Sequence, residues 1–245
     1  MSNKLFFIPS LFTVLNLFLG FLSIVMSAEG HYELAAWLIN FAVLCDGMDG
    51  KIARWTQTET TYGYELDSIA DVISFGAAPS LLVYLAFTEH LLFSVIGLVF
   101  SFLFLFAGAF RLARFNVQAA AEHMDGYQGL PIPVAAMTLA SLVIFKFESV
   151  VMFDPILWSG VQLFLSLLMI SGIPYQWPQL MFHGTFKDQS VSVLICIIIL
   201  FMAFLPRYFL FPLLGIYVVK GFVSAIVALF QKEDVDHWLS GKSSL

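Results

Sequence analysis

Polar residues are sparse and bunched along this chain, and the stretches between them are apolar for about the length of one bilayer crossing. Runs able to span, at ~20 residues each with some tilt, fall at 6–27, 32–54, 62–87, 91–114, 132–150, 155–173, 190–206 and 208–230. The pattern predicts an all-α polytopic membrane protein, a bundle of about eight transmembrane helices with short connections. The longest polar connections are 115–130 and 174–189, and no repeat or low-complexity segment stands out. One membrane domain is expected over 1–230, followed by a short cytoplasmic tail over 231–245. The run Leu11–Met26 could be misread as a secretory signal, but only Lys4 supplies a charged n-region. Removing that run would also strip the following helices of a partner, so it is read as a retained first span.

Composition agrees. Of 245 residues 60% are hydrophobic and 11% charged, and the mean hydropathy is +0.90, more apolar surface than a soluble domain has use for. The formal charge of -6 does not call for a basic partner, because much of it belongs to one carboxylate cluster that a metal would neutralise. No basic run suggests nucleic acid. Cys45 and Cys196 lie in apolar runs without CxxC spacing and are read as packing residues. His31, His90, His123, His183 and His237 fall in loops or the tail without metal spacing. Trp37, Trp55, Trp158, Trp177 and Trp238 mostly fall near span ends, as an interfacial belt requires.

Lys and Arg decide the orientation. With eight spans and a cytoplasmic N-terminus, the inside ends hold Lys4, Lys51, Arg54, Arg111, Arg114, Lys187, Lys232 and Lys242. The outside ends hold only Lys146 and Arg207, so the positive-inside rule selects this topology. Lys220 lies midway along the last span, where it either makes a polar contact or snorkels.

Four carboxylates break the apolar pattern. Asp46 and Asp49 are spaced i, i+3, and Asp67 and Asp71 i, i+4, so each pair shares one face of a helix. An ionised Asp at the bilayer centre costs roughly 2.5–3.5 kcal/mol on insertion scales, and four of them need a compensating partner. Divalent cations with oxygen ligands are the obvious one, which makes the cluster a candidate metal site and active site, on the cytoplasmic side by the topology above. Gly50 and Gly63 let backbone approach a ligand or a neighbouring helix closely, and Arg54 offers a planar fork to a phosphate.

The full string Asp46-x2-Asp49-Gly50-x2-Ala53-Arg54-x8-Gly63-x3-Asp67-x3-Asp71 resembles the signature of the CDP-alcohol phosphotransferase family at every defining position. Ile8–Leu17, Arg111–Asn116 and Gly129–Pro133 resemble its integral-membrane phosphatidylserine synthase branch, with Ser10 departing where the family often has Asn. The resemblance implies transfer of a phosphatidyl group from CDP-diacylglycerol to L-serine, releasing CMP. It implies Mg²⁺ or Mn²⁺, as two ions, on Asp46, Asp49, Asp67 and Asp71, with Asp71 also the general base. Gly50, Arg54, Thr60 and Gly63 would then hold the CDP-lipid. Thr13 and Asn16 read either as contacts to the nucleotide or as helix-packing hydrogen bonds. Arg111 and Arg114, with Asn116, read either as topology determinants or as a pocket for the carboxylate of an amino-acid acceptor. A homodimer in the cytoplasmic (inner) membrane is expected by resemblance alone. The rival readings are the same transfer to glycerol 3-phosphate, inositol phosphate or choline, and a cation transporter built on the carboxylates.

Overall fold

The computed structural model describes residues 7–56, 61–88, 94–120, 129–148, 155–173 and 210–223, and all regular structure among them is helical. Helix α1 covers Phe7–Ala28 and α2 Tyr32–Thr56. A continuous third rod follows: α3 (Thr61–Asp71), a π-helical turn (Val72–Ala77), α4 (Ala78–Val83) and a second π turn (Tyr84–Thr88). Then come α5 (Ser94–Ala120), α6 (Ile132–Glu148), α7 (Pro155–Ile170) and α8 (Leu210–Val223).

Three of these stretches, Leu11–Ala28, Tyr62–Phe87 and Val95–Gln118, are long and apolar enough to cross a membrane. Ile132–Phe147, Ile156–Ile170 and Leu210–Val223 are shorter apolar helices, and α2 carries the motif charges. The expected spans near 6–27, 32–54, 62–87, 132–150 and 155–173 therefore coincide with helices, and α8 falls within 208–230. The run 190–206 and both polar termini lie outside the described residues. The fourth run extends further than hydropathy suggested, to Ala120 rather than 114. Leu112, Phe115 and Val117 continue the helix without a Gly or Pro to stop it, so Arg111, Arg114 and Asn116 lie within α5 and not beyond its end.

Which faces are buried inverts the rule for water-soluble helices. On α1 the buried face is Thr13, Asn16, Gly20, Ser23 and Ser27, whereas Leu11, Leu15, Phe18 and Phe21 are exposed. On α5 Ser101, Ala107, Gly108 and Arg111 turn inward, and Phe102, Phe106 and Phe110 form an exposed stacked row. Small residues inside allow close helix approach, and polar ones bond across helices, as expected where the surroundings are lipid. Ser23 Oγ donates to the Ala35 carbonyl of α2 at 2.9 Å, and Gln162 Nε2 of α7 donates to Ser101 Oγ of α5 at 3.1 Å.

The third rod is the central element; 56% of its spanning stretch is buried, against 28% for α1 and 39% for α5. Its π turns have identifiable causes and consequences. Pro79 has no N–H for the Phe75 carbonyl, and the rod widens into a π turn immediately before it. In the second π turn the Leu85 carbonyl accepts the Tyr32 hydroxyl at 3.2 Å. At the end of the bundle away from the carboxylates, Phe87 stacks on Trp158 at 3.9 Å, and Lys146 lies over the rings of Phe87 and Phe147. Trp158 is thus a buried core residue and not part of an interfacial belt. His31 and Lys220 are exposed, and Cys45 is half-buried; the other four histidines, Cys196, Trp177 and Trp238 lie outside the described residues.

Candidate metal and catalytic site

Helix α2 delivers Asp46 and α3 delivers Asp67 and Asp71, one helical turn apart on a shared face. Each of the three offers a carboxylate oxygen within 4.8 Å of the others. Asp46 and Asp67 are half-buried and Asp71 is buried. The donors in this group are hard carboxylate oxygens without His or Cys, which fits Mg²⁺ or Mn²⁺ and does not fit a soft-ligand metal. The backbone of Asp49, Gly50 and Arg54 lies in α2 one to two turns beyond Asp46. Their side chains, and Thr60 altogether, lie outside the described residues. Gly63 sits one turn before Asp67, partly buried.

The carboxylate face is gripped from two sides by asparagines. From α1, the fully buried Asn16 donates through Nδ2 to Asp71 Oδ1 at 3.2 Å, and its carbonyl accepts from Ser74 Oγ at 2.9 Å. Thr13, one turn earlier, is buried on the same face. Gly20, one turn later, meets the third rod so closely that a Cβ there would stand 2.6 Å from Ser74 Cα. From α5, Asn116 accepts the Tyr64 hydroxyl at 2.8 Å and donates to Ser68 Oγ at 3.0 Å. Its amide thus bridges two residues of α3 next to Asp67.

The two arginines of α5 part company. Arg114 donates to the carbonyls of Ile170 at 3.0 Å, Ser171 at 3.3 Å and Met169 at 3.5 Å. It closes the C-terminus of α7, where the last carbonyls have no helical partner and a cation is favoured. The same corner holds the Gly129–Pro131 entry to α6. Gly129 N donates to the Ile173 carbonyl at 2.8 Å and Leu130 N to the Leu168 carbonyl at 3.0 Å. Gly129 has φ 80°, and a Cβ would run into the Met169 carbonyl, so no other residue fits. Arg111 points elsewhere. The third rod and α5 run antiparallel, with Ser68 against Asn116 and Gly76 against Leu105, which brings buried Arg111 level with Asp71.

Around the carboxylates, Tyr64, Ser68, Ser74 and Gly20 are the contacts that the sequence reading does not single out. These are recognisable only once it is known which helices meet, because Ser, Tyr and Gly in apolar runs carry no signature of their own.

Comparison with known proteins gives the family of the chain. The profile of the CDP-alcohol phosphatidyltransferase family matches residues 6–173. A CDP-diacylglycerol–serine O-phosphatidyltransferase of Helicobacter pylori is 34% identical over 229 residues, covering 90% of this chain and 92% of the relative. An archaetidylserine synthase of Methanothermobacter thermautotrophicus is 38% identical over 170 residues, 69% of each chain. A CDP-diacylglycerol–serine O-phosphatidyltransferase of Methanocaldococcus jannaschii is 34% identical over 197 residues, 80% of this chain and 86% of the relative.

Proposed function

The chain belongs to the CDP-alcohol phosphatidyltransferase family, and from that premise we propose that it transfers a phosphatidyl group from CDP-diacylglycerol to the hydroxyl of L-serine. The products are phosphatidylserine and CMP. The observation that carries this reading is the convergence of Asp46, Asp67 and Asp71 from two helices onto one small volume.

In this reading Asp46, Asp49, Asp67 and Asp71 hold Mg²⁺ or Mn²⁺, as two ions. When bound, the metal neutralises diphosphate charge and favours departure of CMP. Arg54 pairs a phosphate oxygen through its planar fork. Gly50, Gly63 and Thr60 border the nucleotide. Asp71 accepts the proton of the serine hydroxyl as its oxygen attacks the β-phosphorus, and the bond from that phosphorus to the oxygen of the leaving CMP breaks. Arg111, buried and level with Asp71, binds the serine carboxylate. Arg114 and Asn116, engaged with the α7 terminus and with α3, hold the walls of that pocket.

The lipid tails remain in the bilayer while the nucleotide enters from the cytoplasm, consistent with the bias of Lys and Arg toward that side. The remaining expectations, eight spans over residues 1–230, a tail over 231–245, a homodimer and the inner membrane, belong to the same proposal. Release of CMP from CDP-diacylglycerol by the purified protein separates an enzyme from a cation transporter; a protein that moves cations and releases no CMP overturns the reading.

A further inference from the structure

We propose that Asn16 is a positioning residue for Asp71, tying one carboxylate oxygen so that the other is presented to the acceptor hydroxyl. The inference rests on the reading of Asp71 as the acceptor's base. An aspartate on a helix has its Cα and Cβ fixed by the backbone, but χ1 and χ2 leave its oxygens free to rotate. A base that must meet a hydroxyl at hydrogen-bond distance needs that rotation stopped.

Asn16 is placed to stop it. Its Nδ2 lies 3.2 Å from Asp71 Oδ1, and an ionised carboxylate can only accept, which fixes the amide with its N–H toward Asp71. The other end of the amide, Oδ1, is buried and accepts no hydrogen bond among the described residues. A side chain kept for packing alone would not carry an amide that is fully buried and half satisfied. The backbone at Asn16 is anchored separately by the Ser74 Oγ bond to its carbonyl and by the close approach of Gly20 to Ser74. The anchor meets the third rod where α3 passes into the π turn Val72–Ala77, directly after Asp71. The spacing of Thr13 and Asn16 allows a cap on the site, a nucleotide contact or packing; the hydrogen bond to Asp71 gives Asn16 a defined partner within the site.

The test compares Asn16→Leu, Ser74→Ala and Asp71→Asn in the purified full chain with Mn²⁺. It reads kcat, the KM for each substrate, equilibrium binding of CDP-diacylglycerol, and thermal unfolding. Asn16→Leu is expected to lower kcat by about 10- to 100-fold, the scale of a misplaced catalytic group, with CDP-diacylglycerol binding unchanged. Asn16→Ser, whose hydroxyl falls short of Asp71, gives the same loss and serves if leucine is not accommodated. Ser74→Ala removes the backbone anchor but keeps the amide, so it lowers the unfolding temperature and leaves kcat near wild type. Wild-type kcat in both Asn16 variants overturns the inference, as does a kcat loss accompanied by an equal loss of CDP-diacylglycerol binding, or an equal kcat loss in Ser74→Ala. Inactive Asp71→Asn beside fully active Asn16 variants rejects the positioning role and leaves the base assignment standing. Active Asp71→Asn rejects both.

Discussion

Asp46 on α2 and Asp71 at the end of α3 bring carboxylate oxygens within 4.8 Å of each other, and of Asp67, inside an apolar helix bundle. Two unit charges of like sign 4 Å apart repel by about 4 kcal/mol at an effective dielectric of ~20. A third carboxylate increases the repulsion, so the cluster is stable as ionised groups only around a cation. Asp46→Asn and Asp67→Asn are therefore expected to weaken Mn²⁺ binding and, with it, CDP-diacylglycerol binding. Titration of Mn²⁺ by electron paramagnetic resonance checks this; full Mn²⁺ affinity in either variant removes that residue from the ligand set.

Asp71 differs from the other two in being buried and in receiving the Asn16 amide. Asp71→Asn should lower turnover by about 10²- to 10⁴-fold, the usual cost of losing a general base, while CDP-diacylglycerol still binds. Turnover near wild type would leave the proton of the acceptor hydroxyl without an assigned destination.

Arg111 and Arg114 share a helix and a charge, yet they should fail in different ways. Arg114→Lys loses the fork that spans the carbonyls of residues 169–171 and should cost stability, about 1–3 kcal/mol, with the KM for serine little changed. Arg111→Lys should raise the KM for serine about tenfold or more, the loss of one charge-assisted bond, with CDP-diacylglycerol affinity unchanged. Thermal unfolding and serine saturation curves on both variants decide. A normal serine KM in Arg111→Lys would reduce both arginines to structural and topological roles.

Gly129→Ala tests the corner that Arg114 closes. The positive φ and the Met169 carbonyl leave no place for a Cβ. The variant should lose about 1–3 kcal/mol through strain at a special backbone position, read as a lower unfolding temperature. An unchanged unfolding temperature would mean that the loop relaxes freely and does not hold α6 against α7.

Much of this fold is legible in the sequence. Apolar run lengths located the described helices, and the carboxylate spacing pointed to Asp46, Asp67 and Asp71, because run length and the i, i+4 face are properties of one helix at a time. What escaped were properties of pairs of helices. An i, i+3 spacing places Arg111 and Arg114 near one face, but it does not reveal that one meets the end of α7 and the other comes level with Asp71. The widening at Val72–Ala77 has no hydropathy signature, since the apolar run continues through it and only Pro79 marks the place. Charges end an apolar run in hydropathy without ending the helix itself, so the run 91–114 stops short of Asn116 while α5 continues to Ala120.

Transfer to serine at a carboxylate-held metal is tested by one acceptor panel. Purified protein is given labelled CDP-diacylglycerol with L-serine, glycerol 3-phosphate, inositol phosphate or choline, each with Mn²⁺ or after exhaustive chelation, and the labelled lipid and CMP are measured. Labelled phosphatidylserine and CMP should appear together, only with serine and only with the metal restored. A labelled product from another acceptor in place of phosphatidylserine, or undiminished transfer after chelation, would contradict it.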